Sequence, residues 1–286
     1  MPTFPAPAPI TAVLDQVAGA VHVVASDRDD VVVTVLPANP GKAADAHQAQ
    51  ETSVDFANGI LTVGNDRSLR NVVMGPKGAV TVTIELPTGS SLSGKVAFGS
   101  LDTEGSLGAV DVTLAAGNAR IADVDRLTLS ASAGSIVVGR VAGTADLRAS
   151  AGSVRVREIA GDATIRAANG HTTVSAVTGS LTVQGAHGEV VVGRVAGRLV
   201  AKAASGSLRV ESLESGLVDL TTSYGSVEVG VPQGTAALID VSSKNGAVRN
   251  QLQPTGGPVA DEATAEIHAS TGYGDVVVRR PEPFVA

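Results

Sequence analysis

The chain has 286 residues, 43 % of them hydrophobic but only 2 % aromatic: four Phe, two Tyr and no Trp. Charged residues are 17 %, well below the usual quarter, and the 33 glycines are well above an average share. Cysteine is absent, which excludes disulfides, thiolate metal sites and cysteine nucleophiles. Net charge is −7, spread unevenly: −3 over residues 1–98, +1 over 99–206 and −5 over 207–286, a balance that argues against a general nucleic-acid binder.

In chain order, the opening MPTFPAPAPI has no basic residue and no long apolar region, so it is not read as a secretory signal. No run of about 18 apolar residues follows, so no membrane-spanning helix is expected. On these grounds the reading is of a cytoplasmic protein. Residues 1–95 carry strand patterns at 20–25, 31–36, 53–56, 60–63 and 79–86, separated by a polar stretch at 37–51 and a loop at 65–77. They are expected to form a β-rich section that continues the sheet and covers its first coil.

From residue 96 to 250 a repeat dominates. Glycines recur at Gly99, Gly117, Gly134, Gly152, Gly170, Gly188, Gly206 and Gly225, at nearly constant spacing. A second series, Gly143, Gly161, Gly179, Gly197, Gly216 and Gly234, falls half a repeat after the first. Between glycines the residues alternate, as in GSVRVREIA and GDATIRAAN, and alternation of period two means strand. The spacing predicts an all-β fold, a parallel β-solenoid with about 18 residues per coil, equivalent residues stacking at roughly 4.8 Å. The inward columns are then Ile136, Val154, Thr172, Val190, Leu208 and Val227, beside Val138, Val156, Val174, Val192, Val210 and Val229. A third holds Val141, Ile159, Val177, Val195 and Leu213, and the other half-unit adds Leu147, Ile165, Val183, Ala201 and Leu220. Proline agrees: all thirteen lie outside residues 88–231, as a continuous ladder needs every backbone N–H.

Residues 251–286 are expected to form a Pro/Gly-rich insertion at 252–262, then a last coil in STGYGDVVV that caps the stack, with Arg279, Arg280 and Pro281 blunting its final strand.

Coils such as ASAGSVRVREIAGDATIRAANG resemble a bacterial β-strand-repeat family of unknown function labelled "putative adhesin". The segments PAPITAVLDQVAGAVHVVASDRDDVVVTVLP, VTIELPTGS, TSYGSVEVGVPQGTAA and STGYGDVVVRR are similar to its actinobacterial members. The resemblance spans nearly the whole chain, implies a β-solenoid and brings no catalytic residues.

For chemistry, no triad spacing, Walker loop, zinc pattern, EF-hand loop or calcium-binding nonapeptide is present. No catalytic residue, metal ligand or cofactor is assigned. Asp123, Asp125, Asp146 and Asp162 read as solvated surface acids, and the regular coils leave no room for the long loops of a polysaccharide-cleaving β-helix. His171 and His187 lie one coil apart, without further ligands nearby in the pattern; His22, His47 and His268 are isolated and are assigned nothing.

Two outward groups remain as partner-binding candidates. Bases form a loose column of Ser130, Arg148, Arg166, Gln184, Lys202 and Thr221, where Arg148 and Arg166 repel unless acids such as Asp146 and Asp162 intervene or an anion binds. Tyr224 and Tyr273 share a corner column with Ala133, Ala151, Asn169, His187, Ser205 and Asn245, and Asn245 is expected between the two tyrosines. No aromatics interleave the bases, which argues against single-stranded nucleic acid. The expected function is a non-enzymatic structural or interaction module whose partner is a protein or an anionic polymer. The alternatives are a β-helix polysaccharide-degrading enzyme and a self-assembling scaffold, since open solenoid ends allow homo-oligomers.

Overall fold

The computed structural model describes residues 2–65, 78–253 and 262–281. Most of the expected loop at 65–77, most of the insertion at 252–262 and the tail after Pro281 lie outside the described residues. The chain divides into two compact units, Met1–Thr144 and Ala145–Ala286.

The first unit contains β1 (Thr3–Pro5), β2 (Thr11–Ser26), β3 (Asp30–Pro37), α1 (Ala43–Glu51), β4 (Thr52–Ala57), β5 (Ile60–Asn65), β6 (Val80–Pro87), β7 (Ser91–Glu104) and β8 (Ser106–Ala133). Strand β9 (Ile136–Ala151) runs across the division. The long β2 is the hub. Its first half pairs in parallel with β5, its second half with β6, and both halves with β7. β7 pairs in turn with β8, Leu92 opposite Val110 and Asp102 opposite Arg120, each partner one repeat further along the chain. The outer pairs are antiparallel: β4 on β5, β3 on β6, and β1 on β3.

Helix α1 falls in the stretch read as polar loop. Its sequence AADAHQAQE lacks an apolar stripe, so periodicity gives no helix signal there. What anchors it is the buried Asp45, whose carboxylate accepts the backbone N–H groups of Asn39 and Ala79, each at 3.1 Å. Those two bonds tie the helix to the ends of β3 and β6, and they satisfy a carboxylate that burial otherwise penalises.

The second unit contains β10 (Val154–Ile159), β11 (Asp162–Asn169), β12 (Thr172–Val177), β13 (Ser180–His187), β14 (Val190–Val195), β15 (Arg198–Ser205), β16 (Leu208–Leu213) and β17 (Gly216–Tyr224). It ends with β18 (Val227–Gly230), β19 (Thr235–Asn245), β20 (Val248–Asn250), β21 (Ala263–Tyr273) and β22 (Val276–Arg279). Two parallel ladders result. One runs β10, β12, β14, β16, β18, β22, β20. The other runs β11, β13, β15, β17, β21, β19.

Alternation sets which way each side chain points. Val156, Val174 and Val192 stack in register at 0–2 % exposure, while Arg155 and Arg157 are exposed. A valine buried this fully contributes about 1.5–3 kcal/mol, and every repeat adds several. The corners need glycine for a specific reason. Gly170 has φ of 138°, and a Cβ there sits 1.6 Å from the carbonyl oxygen of Gly152 in the strand below. Gly188 meets Gly170 in the same way at 1.9 Å, so the corner column is a backbone-on-backbone contact that no side chain fits.

The ladder order departs from sequence order at its end. β21 lies between β17 and β19, and β22 between β18 and β20. The strand expected last, β22, is therefore interior. Arg279 and Arg280 do not blunt an edge: Arg279 bonds the carboxylate of Glu228, and Arg280 donates to the carbonyls of Val231 and Pro232 at 3.1 and 2.6 Å. In this order the inward residues of β21, Ala265, Ile267 and Ala269, are buried between two strands, whereas the inward Ile239 and Val241 of β19 are only half-buried.

Candidate interaction surface

The corner column is built by residues that each precede a glycine, of positive φ at Gly170, Gly188, Gly206, Gly225 and Gly274. Along it Asn169, His187, Ser205 and Tyr224 stand directly opposite one another. Tyr224 is then opposite Tyr273, and Tyr273 opposite Asn245. The expectation that Asn245 separates the tyrosines is thus corrected: the insertion of β21 puts Asn245 outside the pair, where its Nδ2 donates to the Gly272 carbonyl at 3.1 Å.

Parallel register carries two identical side chains to the strand spacing of about 4.8 Å, close to the stacking distance of aromatic rings. The Tyr224 and Tyr273 rings accordingly stack with centroids 5.1 Å apart and planes 5° from parallel. They remain 58 % and 54 % exposed. On the other side Tyr224 faces the small Ser205 in the register, so the column steps down beside the ring.

The basic column is also present, with Arg166, Gln184, Lys202 and Thr221 in register. Its two arginines are not bare. Arg148 Nη2 donates to Asp146 at 2.7 Å, and Arg166 Nη1 donates to both oxygens of the same carboxylate at 3.3 Å. One acid thus bridges the pair and relieves the repulsion anticipated from their stacking. Lys202, flanked by Gln184 and Thr221, has no ion pair among the described residues. Of the other outward bases, Arg209 pairs with Glu228 at 3.2 Å, while Arg155 and Arg157 have no acid partner among the described residues.

Two features escape the sequence pattern. His268 stands opposite Asp219 on one side and Asp240 on the other. Its Nε2 lies 2.8 Å from Glu266 and its Nδ1 3.6 Å from Asp240. The Glu266 hydrogen bond, against some desolvation, raises its pKa above the ordinary imidazole value, with the Asp240 charge adding to the effect. Neither Asp219 nor Asp240 lies one repeat away from His268 in sequence, so the repeat does not pair them. The second feature is a shallow groove of about 600 Å³ lined by Arg198, Leu217, Leu238, Glu266 and the Ser215–Gly216 turn. It opens where one repeat is longer: Ser180 pairs with Arg198, and the next step up the ladder, Arg198 to Leu217, holds one extra residue.

Among the described residues no group of three or more His, Cys, Asp or Glu side chains is arranged to hold a metal ion, and His171 and His187 join no such cluster. Nor, among the described residues, is any helix long and apolar enough to cross a membrane.

Solved structures similar to this chain include one titled a putative adhesin from Bacteroides fragilis, at 16 % identity over 97 % of this chain and 95 % of that one, TM-score 0.33. Another, titled a putative adhesin from Parabacteroides merdae, has 9 % identity over 98 % and 95 %, TM-score 0.37. A third, from Parabacteroides distasonis and titled a putative lipid binding protein, has 10 % identity over 98 % and 96 %, TM-score 0.41. No curated protein matches the chain. The model of one family, however, matches residues 13–279, nearly the full length, and on that match the chain belongs to the Toastrack DUF4097 family.

Proposed function

We propose that this chain is a non-enzymatic interaction module, a parallel β-solenoid of regular coils that presents fixed side-chain columns to a partner. The observation that carries this reading is the exposed Tyr224–Tyr273 stack. Tyrosine supplies large contact area at low conformational cost and is enriched in interface anchors. Here the chain's two tyrosines come from strands far apart in sequence and meet in the open. Repeats of nearly constant length support the non-enzymatic reading, since among the described residues 99–231 they carry no long loops to wall a cleft.

Fluorescence gives a direct test, because the chain has two Tyr and no Trp, so its intrinsic emission comes from this pair alone. Extract of the source cell is passed over immobilised wild type and over Tyr224→Ser/Tyr273→Ser, and each protein the wild type retains is purified and titrated. The proposal expects a partner that the double variant fails to retain and that shifts the tyrosine emission saturably. Equal retention by both, with unchanged emission, overturns it.

A second reading is supported by Lys202, an outward cation without an ion pair among the described residues, in register with Arg166 two strands away. An anionic polymer would lie along Arg148, Arg166 and Lys202. Exposed pairs contribute only about 0–1 kcal/mol each, so binding would need several contacts and would weaken with salt. Heparin serves as the polyanion probe. Salt-sensitive binding lost in Arg148→Ser/Arg166→Ser/Lys202→Ser supports this reading, and no binding at low ionic strength removes it.

A further inference from the structure

We infer that β19 is an open docking edge, and that its occupant is a second copy of this chain, paired antiparallel about a twofold axis through Ser242. Among the described residues β19 pairs with β21 alone. The strand is 11 residues long, and its second backbone edge is left without a strand partner among the described residues. The core beneath that edge is also unfinished. Ile239 and Val241 continue the inward columns of Ile267 and Ala269, which are 0 % and 3 % exposed, yet they are only half-buried themselves. Leu238 is 67 % exposed, and Val248 on the adjoining β20 is 46 % exposed. A long edge strand with uncovered apolar residues is a template for further pairing.

Charge selects the occupant and the register. Asp240, Ser242 and Lys244 alternate along the outer side of β19, and all three are exposed. In an antiparallel pair, directly opposite residues share a face. A twofold axis at Ser242 therefore sets Asp240 against the partner's Lys244, and Lys244 against the partner's Asp240, two complementary contacts from one self-matching strand. Moving the axis to residue 240 or 244 opposes like charges. Moving it to 241 or 243 leaves each charge facing a neutral residue. Lys244 has no ion pair among the described residues, and Asp240 is otherwise engaged only by His268 at 3.6 Å on the inner neighbour β21. Val241 then meets the partner's Ser243, and the two half-finished cores close on each other. This inference rests on the edge of β19 and its charges and not on the tyrosine pair, which lies one strand inward at the Asn245 end of the same ladder.

The absence of cysteine makes the register directly testable. Opposite Cα atoms in an antiparallel pair lie about 4.5–5.5 Å apart, within the span a disulfide bridges. Full-length Ser242→Cys, mildly oxidised, should run as a covalent dimer, while Leu238→Cys should not. Sedimentation equilibrium of the wild type should show a reversible dimer. Lys244→Glu should weaken it by about tenfold or more, since two attractive contacts become two repulsive ones, and the swap Asp240→Lys/Lys244→Asp should restore it. Circular dichroism melting confirms that each variant is folded. A wild type that stays monomeric at every concentration overturns the inference. So does a dimer indifferent to Lys244→Glu, or one cross-linked as readily through Leu238→Cys as through Ser242→Cys.

Discussion

Tyr273 stacks on Tyr224 at 5.1 Å, while Asn245, which lies between them in sequence, stands outside the pair. The chain therefore lays down β19 before β21 but places β21 inside it. β21 is the native partner of both β17 and β19, so among the described residues β19 joins this ladder only through it. Contacts of such long sequence separation slow folding. The last described strands thus complete the part of the molecule on which the tyrosine surface depends.

The corner glycines give the sharpest contrast in stability. Gly170→Ala forces a Cβ to 1.6 Å from the Gly152 carbonyl at a φ of 138°, so the backbone must move. A loss of about 3 kcal/mol or more is expected, combining the strain of a forbidden conformation with a broken contact. Gly185→Ala is the control, since its Cβ meets nothing closer than 3.8 Å, and it should be neutral or slightly stabilising. Chemical denaturation of the two variants measures the difference; equal midpoints would contradict the corner geometry.

Thr172 offers a stabilising substitution. It is 1 % exposed in the column between Val154 and Val190, and its Oγ1 has no hydrogen-bond partner among the described residues. An unmade buried hydrogen bond costs about 1–3 kcal/mol, so Thr172→Val, which keeps the shape and removes the hydroxyl, should raise the melting temperature. A lower melting temperature would mean that the hydroxyl is satisfied.

Much of this was readable from sequence, for a physical reason. A strict repeat fixes register, and alternation fixes facing, so Val156, Val174 and Val192 and the column from Arg166 to Lys202 could be named without coordinates. The repeat says nothing where it stops. After Pro232, both TAALIDVSSKN and ATAEIHASTGY fit one strand position, and only packing decides which goes inside. For the same reason the His268 cluster and the outer edge of β19, without a strand partner among the described residues, were illegible, as was helix α1, which Asp45 bonds anchor where an apolar stripe is lacking.

His268 gives a pH signature with a defined sign. Its folded pKa is raised above the ordinary 6.5, first by the Glu266 hydrogen bond and then by the Asp240 contact. A raised value means that the folded state holds the proton more tightly. The stabilisation is therefore fully present below the unfolded pKa and is lost as pH rises through the folded pKa. Melting of wild type and His268→Gln should differ most below the ordinary imidazole pKa of about 6.5 and converge once pH has risen through the raised folded value. A difference that does not change with pH would show that the imidazolium is not held by these acids.

The strand order β17, β21, β19 underlies both the tyrosine pair and the docking edge, and two engineered disulfides read it directly. Thr221, Ser270 and Ser242 stand in register on these three strands. Neighbouring strands lie about 4.8 Å apart and next-nearest strands about twice that, whereas a disulfide spans Cα separations only up to about 7 Å. In the otherwise cysteine-free chain, Thr221→Cys/Ser270→Cys should close within the monomer, and Thr221→Cys/Ser242→Cys should not. If the second pair closes within the monomer and the first stays reduced, β19 is the inner strand and the order β17, β21, β19 is contradicted.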